Sequence, residues 1–310
     1  MITTVTMNAS VDKMYQVDTV QLNTIMRVRK VLNTAGGKGL NVARIISQTG
    51  EPVRAIGLLG GYNGLYIRSM LRDNGIIDDF SEISSETRSC INIFDCSTGK
   101  HTEFLEPGTE VSQGDIASFM LSYNRALQLS DVVTISGSVP HGTPSSFYGE
   151  LIFLAKALKK QIILDTSGDL LVEGIKSKPT MIKPNRDEIA QLIGSNKFTR
   201  FEVVEAAKQI QRQGIEFVVV SLGKEGSLLV CDQGIFRASP PEINVANTVG
   251  CGDSMVAGLA VGLVRKMNPI EMLKFSTAIS AASAMSFVTG HFYQDDFICL
   301  LTKVNAIKEQ

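Results

Sequence analysis

The sequence lacks the patterns of secreted, zinc-binding and membrane-spanning proteins. Its five cysteines form no CxxC pair, and they show no zinc-ligand spacing with the three histidines. The first residues have the pattern of a strand rather than of a charged-then-apolar leader, and no apolar run approaches the length of a transmembrane helix. An odd number of cysteines without a leader is typical of a reducing compartment, so we expect a cytoplasmic protein with no membrane partner.

The sequence also lacks an excess of positive charge. There are 30 Lys and Arg residues and 31 Asp and Glu residues, for a formal net charge of −1. A nucleic-acid-binding or polybasic membrane-binding protein would show a basic excess or patch, so we expect no nucleic acid as a partner. Neither the Walker A spacing (GxxxxGK followed by Ser or Thr) nor GxGxxG occurs. Any phosphate site must therefore be built locally.

The most informative segment that is present is residues 247–254, Asn-Thr-Val-Gly-Cys-Gly-Asp-Ser. Gly250 and Gly252 flank Cys251, Asp253 follows at once, and an apolar segment typical of a buried helix begins. Backbone N–H groups at such a helix start have no intrahelical partner and suit an anion, and an acid beside them can accept a proton from an attacking hydroxyl. The alternative is that Asp253 only caps the helix.

Two further segments carry polar residues where a turn meets a strand or a helix. Gly36 and Gly37 open a helix that carries Asn41, which favours close backbone approach to a polar ligand with Lys38 as a nearby charge; a plain turn is the alternative. Asp12 is predicted to end the first strand, where a carboxylate can accept hydrogen bonds from two hydroxyl groups of a ligand. A turn aspartate without a ligand is as good a reading of the residues alone.

Asn185 and Glu188 are three residues apart at a predicted helix start. On the first turn of a helix they share a face, so the amide and the carboxylate can jointly orient Mg²⁺ and its waters. The same spacing is typical of a capping box, and both interpretations can hold together. Lys183 just before them adds a positive charge beside this helix start.

Predicted strands alternate with predicted helices through most of the chain, which indicates a parallel sheet covered by helices on both faces. The predicted strands are 2–6, 53–58, 132–135, 161–164 and 217–221, and the predicted helices are 39–48, 64–74, 145–159, 202–213 and 269–287. Four short strand patterns, at 13–20, 27–32, 88–96 and 101–105, do not fit a parallel sheet and suit a small separate β layer.

Five motifs, in this order, resemble the PfkB (ribokinase-like) family of sugar kinases. They are residues 8–12 (Asn-Ala-Ser-Val-Asp), 35–44 (Ala-Gly-Gly-Lys-Gly-Leu-Asn-Val-Ala-Arg), 182–188 (Ile-Lys-Pro-Asn-Arg-Asp-Glu), 218–226 (Val-Val-Val-Ser-Leu-Gly-Lys-Glu-Gly) and 247–254. Within the family, the amino-acid sequences of segments 36–44 and 253–258 are most similar to the 1-phosphofructokinase and tagatose-6-phosphate kinase branch. Ala9 stands where the family usually has Pro, and Cys251 where it usually has Ala.

The resemblance implies an α/β fold: a ribokinase-like three-layer sandwich with a mostly parallel central sheet plus a small β-sheet lid. It implies one kinase domain over residues 1–310, with the lid formed by about 12–34 and 86–108. Because exposed strands of a lid would leave open edges, we expect a homodimer that forms through the lid.

The resemblance also implies a role for each matching residue. Asp253 would be the catalytic base, with Gly250, Cys251 and Gly252 as the anion-binding turn. The sugar phosphate would be bound by Asp12, Gly36, Gly37, Lys38, Asn41, Ser136, Arg88 and Arg27, although Arg27 fits a solvated strand face equally well. ATP would be bound by Lys183, Asn185, Ser221, Gly223 and Gly226, and Mg²⁺ by Glu188 and, through water, Asn185.

The function implied is an ATP- and Mg²⁺-dependent kinase of a ketohexose phosphate. Fructose 1-phosphate, giving fructose 1,6-bisphosphate, is the first expectation and tagatose 6-phosphate the alternative. A ribokinase-like kinase of an unphosphorylated sugar would leave Lys38 and Arg88 without an anion. A non-catalytic ATP-binding regulator would be marked by loss of the base or metal residues, and Asp253 and Glu188 are both present.

Overall fold

The computed structural model describes residues 1–194 and 199–309. The strands are β1 (Ile2–Thr6), β2 (Ser10–Val17), β3 (Lys30–Gly36), β4 (Val53–Leu59), β5 (Ile77–Asp78), β6 (Ser81–Glu82), β7 (Ser89–Asp95), β8 (Lys100–Leu105), β9 (Val132–Ser136), β10 (Gln161–Asp165), β11 (Met181–Ile182), β12 (Phe217–Ser221), β13 (Ser227–Cys231), β14 (Gly234–Ser239) and β15 (Asn305–Glu309). The helices are α1 (Lys38–Gln48), α2 (Gly61–Asp73), α3 (Gln113–Leu129), α4 (Phe147–Ala157), α5 (Gly168–Lys176), α6 (Arg186–Leu192), α7 (Arg200–Gln211), α8 (Cys251–Val264), α9 (Pro269–Ala284) and α10 (Gln294–Lys303).

Eleven of the described strands form one large sheet, in the order β15-β14-β13-β12-β11-β10-β9-β1-β4-β5 with β6 beside β4. Neighbours from β5 to β12 are parallel, and β13, β14 and β15 continue the sheet in antiparallel fashion. The carboxyl ends of β1, β9, β10, β11 and β12 therefore meet at one edge. In open α/β sheets, ligands bind outside this edge.

The large sheet is buried on both faces. Val132 and Ile163 pack in one apolar cluster, whereas their chain neighbours Val133 and Ile162 pack in a second cluster on the other face. Successive side chains of a strand point to opposite faces, so this alternation shows that helices cover the sheet from both sides. The apolar strand runs of the sequence follow from this double burial.

Helix α8 begins at the glycine turn and buries almost all of its side chains against α9 and α1. Small residues allow this close packing: a Cβ added to Gly258 would lie 2.6 Å from the Cα of Ser276, and one added to Gly262 would lie 2.5 Å from the Cγ of Met272. A helix that is apolar all round is a buried helix. Its first turn is consequently held firmly beside the carboxyl edge of the sheet.

A separate four-stranded sheet has the order β3-β2-β7-β8. Together the two sheets confirm the predicted α/β fold class with a large, mostly parallel sheet and a smaller separate one. The small sheet begins at Ser10 and its partner strand ends at Gly36, two residues beyond the predicted lid bounds of 12 and 34 at each end. β2 pairs with β3 from Ser10 opposite Gly36 to Gln16 opposite Lys30.

This register corrects two predicted positions. Asp12 does not end the first strand: β1 stops at Thr6, and Asp12 is the third residue of β2. Arg27 does not lie on a strand, because the β2–β3 pairing ends at Lys30 and leaves Arg27 in the exposed segment before it. Asp12 thereby belongs to the small sheet.

Candidate active site

One cleft of about 1570 Å³ lies between the carboxyl edge of the large sheet and the small sheet. It collects most of the residues that the sequence motifs single out. The lining includes Asp12, Gly37, Lys38, Asn41, Arg88, Ser136, Lys183, Asn185, Glu188, Ser221, Gly223, Gly226, Gly250, Cys251, Gly252 and Asp253. Gly36 and Arg27 do not line it.

Asp253 lies in the first turn of α8 with only 6% of its surface exposed. The N-cap of this helix is Gly250, in a left-handed conformation, so Asp253 is not the cap. Its Oδ2 accepts a hydrogen bond of 2.7 Å from Nδ2 of Asn41. Burial and the charge of Asp165 raise the pKa of Asp253 to about 6, against the lowering effects of Lys38, Asn41 and Lys183. A carboxylate with this pKa is ionised at neutral pH and still basic enough to accept a proton.

The glycine turn before Asp253 depends on its missing side chains. Gly250 has a φ of +82°, and a Cβ there would lie 2.6 Å from Cγ2 of Thr289. The N–H of Cys251 donates back to the carbonyl of Thr248 at 3.3 Å. The other N–H groups at this helix start, those of Gly250, Gly252 and Asp253, have no backbone acceptor among the described residues and are available to an anion.

The side chain of Cys251 contributes little reactivity. Its thiol contacts the carbonyl of Asn247 at 3.7 Å, and burial together with the charge of Asp253 raises its pKa to about 11. The thiolate is the reactive form of cysteine. A thiol held neutral fills the place of a small apolar residue.

Asp165, at the end of β10, joins two lysines and is a residue that motif reading missed. Its Oδ1 lies 3.1 Å from Nζ of Lys183 and its Oδ2 lies 3.5 Å from Nζ of Lys38; its own side chain is 1% exposed. Burial opposes ionisation, but the two ammonium groups prevail and lower its pKa. The carboxyl-edge rule contained the signal, because Asp165 directly follows the predicted strand 161–164.

Lys183 and Lys38 bring two positive charges to the start of α8. A Cβ added to Gly252 would lie 3.5 Å from Nζ of Lys183, so the ammonium stands directly against the helix start. A cation beside the positive end of a helix dipole is unfavourable unless an anion shares the space. Asp165 neutralises one of the two charges, and the arrangement suits a further anion such as a phosphate.

Asp12 faces the cleft from the small sheet, held by Ser10 and given room by Gly36. Oγ of Ser10 donates to Oδ1 of Asp12 at 2.6 Å. A Cβ on Gly36 would lie 2.0 Å from that same oxygen, so only glycine leaves space for the carboxylate. Burial raises the pKa of Asp12, whereas Ser10, Arg44 and Arg88 lower it. Gly36 therefore lies behind Asp12 and leaves space for its carboxylate, without lining the cleft itself.

Arg88 directly precedes β7, and two backbone carbonyls fix its guanidinium. Nη1 donates to the carbonyl of Glu106 at 2.8 Å and Nη2 to that of Asn8 at 3.0 Å. A guanidinium has five N–H donors, so one on each Nη and the buried Nε–H are not used by these bonds. Lys13 of β2 also lines the cleft near this end, a cation that motif reading did not include.

Asn185 and Glu188 form the capping box that was the alternative interpretation. Oδ1 of Asn185 accepts the N–H of Glu188, and Oε2 of Glu188 accepts the N–H of Asn185, both at 2.8 Å. Both side chains nevertheless line the cleft. The capping box does not use Oε1 of Glu188, and Oδ1 of Asn185 keeps a second lone pair, so both side chains can still accept hydrogen bonds from waters bound to a cation.

The turn after β12 brings backbone close to the cleft. Gly223 and Gly226 have φ of +59° and +96°, and a Cβ on Gly226 would lie 2.0 Å from the carbonyl oxygen of Ala238. Ser221 ends the strand, and its N–H donates to the carbonyl of Pro184 at 3.1 Å. Across the edge, Oγ of Ser136 is buried without a partner among the described residues. A polar ligand would satisfy that hydroxyl.

The described residues contain no group of three or more His, Cys, Asp or Glu side chains that could hold a metal ion. Mg²⁺ commonly keeps several waters and uses one or two carboxylates plus substrate phosphates. The donor set of Glu188 and Asn185, next to the cationic pocket, fits that kind of binding. No helix of the described part is long and apolar enough to cross a membrane.

Comparison with known proteins gives one consistent result. The model of the pfkB family of carbohydrate kinases matches residues 5–294. The chain is 39% identical over 311 aligned residues to a tagatose-6-phosphate kinase of Staphylococcus epidermidis, covering 99% of this chain and 100% of the relative.

Two solved structures share the fold over almost the whole length. Phosphofructokinase-2 of Escherichia coli, solved with potassium, superposes with a TM-score of 0.91 at 28% identity, covering 97% of this chain and 98% of that one. A Thermotoga maritima protein described as a possible 1-phosphofructokinase superposes with a TM-score of 0.91 at 26% identity, covering 100% of both chains.

Proposed function

The chain belongs to the pfkB family of carbohydrate kinases, and from that premise we propose that it transfers the γ-phosphoryl group of ATP to a hydroxyl of a ketohexose phosphate. One observation carries the proposal: a single cleft joins the buried base Asp253 to a cationic pocket at one end and to Asp12 and Arg88 at the other. Such a cleft has a place for the donor phosphates, the attacking hydroxyl and a second phosphate.

Asp253 is the proposed base. With a pKa of about 6 it is largely deprotonated at neutral pH and accepts the proton of the attacking hydroxyl. Asn41 binds only Oδ2, which leaves Oδ1 for the substrate. The N–H groups of Gly252 and Asp253, together with the ammonium groups of Lys38 and Lys183, stabilise negative charge beside it.

The donor end is proposed to lie along the edge from β11 to β12. Lys183, Ser221, Gly223 and Gly226 would hold the nucleotide, which supplies the transferred phosphoryl group, and Glu188 and Asn185 would orient Mg²⁺ through waters. Mg²⁺ neutralises charge on phosphate oxygens when bound. These residues fit the two ligands because the glycines leave the backbone open and the pocket is cationic.

The acceptor end is proposed to lie under the small sheet, which acts as a lid. Asp12 and Asn41 would bind sugar hydroxyls, together with the backbone of Gly37 and the unpartnered hydroxyl of Ser136. Arg88, already oriented by two carbonyls, would donate its remaining N–H groups to the phosphate that the sugar carries.

Two ketohexose phosphates are candidates for the acceptor. Identity of 39% over the full length to a tagatose-6-phosphate kinase favours tagatose 6-phosphate, phosphorylated at C1. The structural likeness to the Thermotoga maritima protein described as a possible 1-phosphofructokinase supports fructose 1-phosphate as the second candidate. Both acceptors use the same base and the same arginine.

A substrate panel with Mg-ATP tests the proposal. We expect kcat/KM for the preferred sugar phosphate to exceed that for free fructose by at least about 10²-fold, because charge-assisted bonds to a phosphate are lost with the free sugar. Arg88→Ala should remove most of this preference and leave the rate on free fructose almost unchanged. Arg72→Ala, on the outer end of α2, is the control. Equal kcat/KM for free and phosphorylated sugar would contradict the assignment and favour a kinase of unphosphorylated sugars.

A homodimer through the lid is proposed from its exposed apolar residues. Val31, Phe104 and Leu105 are 54%, 57% and 66% exposed, and Leu22 and Ile25 of the segment before β3 are 90% and 95% exposed. These exposed apolar side chains lie on the two open edges of the lid sheet and in the segment before β3, surface that a second copy of the chain would bury. Light scattering should give twice the chain mass, and Phe104→Glu with Leu105→Glu should give monomers; a monomeric wild type would contradict the proposal.

A further inference from the structure

We propose that Arg44 is a positioning residue for catalysis, which orients the amide of Asn41 and through it the carboxylate of Asp253. Arg44 does not line the cleft and is buried beneath it on α1. The inference rests on the proposed function, because it assigns Arg44 to the setting of the proposed base.

The contacts form a chain of three side chains. Nη2 of Arg44 donates to Oδ1 of Asn41 at 2.5 Å, and Nδ2 of Asn41 donates to Oδ2 of Asp253 at 2.7 Å. Asn41 and Arg44 are three residues apart on α1 and so share a face of the helix. Each link is buried, so water does not compete for it.

The guanidinium decides which way the amide points. An asparagine side chain has one acceptor atom and one donor group, and it can rotate by half a turn with little change of shape. A guanidinium can only donate, so the atom of Asn41 that faces Arg44 must be the oxygen. The NH₂ group then faces Asp253. Without Arg44, the oxygen of the amide loses its partner and only Asp253 holds the side chain, so the amide can rotate away from the carboxylate.

Arg44 is itself held in a fitted place. Its Nη2 also donates to the carbonyl of Thr289 at 3.0 Å. The next residue, Gly290, has a φ of +69°, and a Cβ there would lie 2.7 Å from Nη2. Gln48, one turn further along α1, binds the same segment through the carbonyl of Gly290 at 3.1 Å but is not bonded to Asn41. Gln48 therefore shares the packing role of Arg44 without its link to the base.

The charge of Arg44 persists at neutral pH. Burial lowers the pKa of Arg44 to about 10, against the raising effects of Asp12 and Asp253. The charged or titratable groups that face Asp253 are Asp165, Lys38, Lys183 and Cys251, with Arg44 behind Asn41 and His291 near Arg44. The hydrogen bond from Asn41 lowers the pKa of Asp253, so its loss should raise that pKa further.

The test is the pH dependence of kcat/KM. In Arg44→Met we expect kcat at neutral pH to fall by about tenfold or more, with KM for ATP within about threefold, because the change misplaces the base and not the nucleotide. The acid limb of the pH profile, where kcat/KM falls as Asp253 becomes protonated, should move to higher pH by roughly half a unit or more. Arg44→Lys, which keeps the charge and can donate to Oδ1 of Asn41, should recover part of the loss.

Two further variants separate positioning from packing. Gln48→Ala loosens the same segment and should leave the acid limb in place. In a double-mutant cycle, Arg44→Met added to Asn41→Ala should cost little more than Asn41→Ala alone, since Arg44 acts through Asn41. If Arg44→Met does not fold, as judged by thermal unfolding, Arg44→Lys takes its place in the cycle.

The outcomes are distinct. Additive losses in the cycle, an unmoved acid limb in Arg44→Met, or an equal shift in Gln48→Ala would overturn the inference. An inactive wild type on every sugar and sugar phosphate would instead overturn the proposed function.

Discussion

Nζ of Lys183 lies 3.1 Å from Oδ1 of Asp165, and both side chains are at least 95% buried on the floor of the cleft, where their side-chain exposures are 5% and 1%. Lys38 approaches the other carboxylate oxygen at 3.5 Å. Two cations thus share one anion. Burying a charge without its partner costs free energy. Asp165 lowers this cost for Lys38 and Lys183 and still leaves the pocket with a net positive charge.

Asp165→Asn should shift the pH profile in a direction that identifies the cluster. The charge of Asp165 raises the pKa of Asp253, whereas Lys38 and Lys183 lower it. Removing only the anion should therefore move the acid limb of kcat/KM below its wild-type position, while kcat falls. Asp79→Asn, which removes a carboxylate paired with Arg54 outside the cleft, is the control and should leave the limb in place. An alkaline shift in Asp165→Asn would contradict the arrangement.

The wild-type enzyme should lose activity as the pH falls through about 6. Asp253 must be deprotonated to accept a proton, and its pKa is raised to about 6 by burial and by Asp165. Asp253→Asn keeps size and polarity but removes the base, so turnover should fall by about 10²–10⁴-fold, with ATP binding retained in a direct binding assay. A variant with near-normal turnover would reduce Asp253 to a structural residue of α8.

The same substitution should stabilise the protein at neutral pH. The pKa of Asp253 is higher in the folded protein, at about 6, than the ordinary value of 3.8, so its ionised form opposes folding above pH 6 and this cost disappears as the pH falls toward 4. Asp253→Asn should raise the free energy of unfolding by up to roughly 2 kcal/mol at pH 7.5 and by much less at pH 5. Urea unfolding at the two pH values measures this. Lower stability of the variant at pH 7.5 would contradict it.

Glu188→Gln separates a metal role from a capping role. Glutamine can serve at this position of a capping box, so the bond to the N–H of Asn185 can survive while the charge is lost. We expect a higher Mg²⁺ requirement and lower turnover. Glu271→Gln is a matched control, because Asn268 and Glu271 form the same Asn-to-Glu capping box at the start of α9. If the two variants show equal Mg²⁺ titrations, Glu188 serves only as part of the capping box of α6.

Much of the fold followed from periodicity and turn chemistry. Strand β1 and the start of α9 were predicted to the residue, because apolar runs and the Asn-Pro helix start are local signals. Helix α3 and the antiparallel strands β13, β14 and β15 were not predicted. The positions of the three strands depend on pairing at the edge of the large sheet, which local patterns do not encode. Helix α3, in contrast, begins with a local signal, the capping box of Ser112 and Asp115.

The candidate site, like the fold, was predictable from sequence only where local patterns mark a residue. Motif residues such as Asp253 and Asn41 could be identified, because glycine turns and strand ends mark them. Asp165 could have been placed at the carboxyl edge from its position after a predicted strand, but the contacts of Asp165 and Arg44 could not be predicted, because they join residues far apart in the chain: Asp165 with Lys38 and Arg44 with Thr289. The assignment of Gly36 to the substrate stays a prediction; what local sequence could not indicate is the room that Gly36 gives to Asp12 on the neighbouring strand.

That relationship gives a further prediction. Gly36→Ala adds a Cβ whose unrelaxed position is 2.0 Å from Oδ1 of Asp12, far inside van der Waals contact. Gly36 is not among the residues with positive φ, so alanine suits the backbone and the effect should be confined to the displaced carboxylate. We expect KM for the sugar phosphate to rise by about tenfold or more, the loss of a charged hydrogen-bond acceptor, with KM for ATP nearly unchanged.

Gly114→Ala is the matched control, because its Cβ would meet only Oγ of Ser112 at an ordinary 3.5 Å, at the start of α3. It should leave both KM values unchanged. Asp12→Ala added to Gly36→Ala should cost no more than Asp12→Ala alone, since the glycine acts only by making room for that carboxylate. A rise in KM for ATP equal to that for the sugar phosphate would mean that the change distorts the whole cleft. Additive effects in the double variant would mean that Gly36 contacts the substrate by itself.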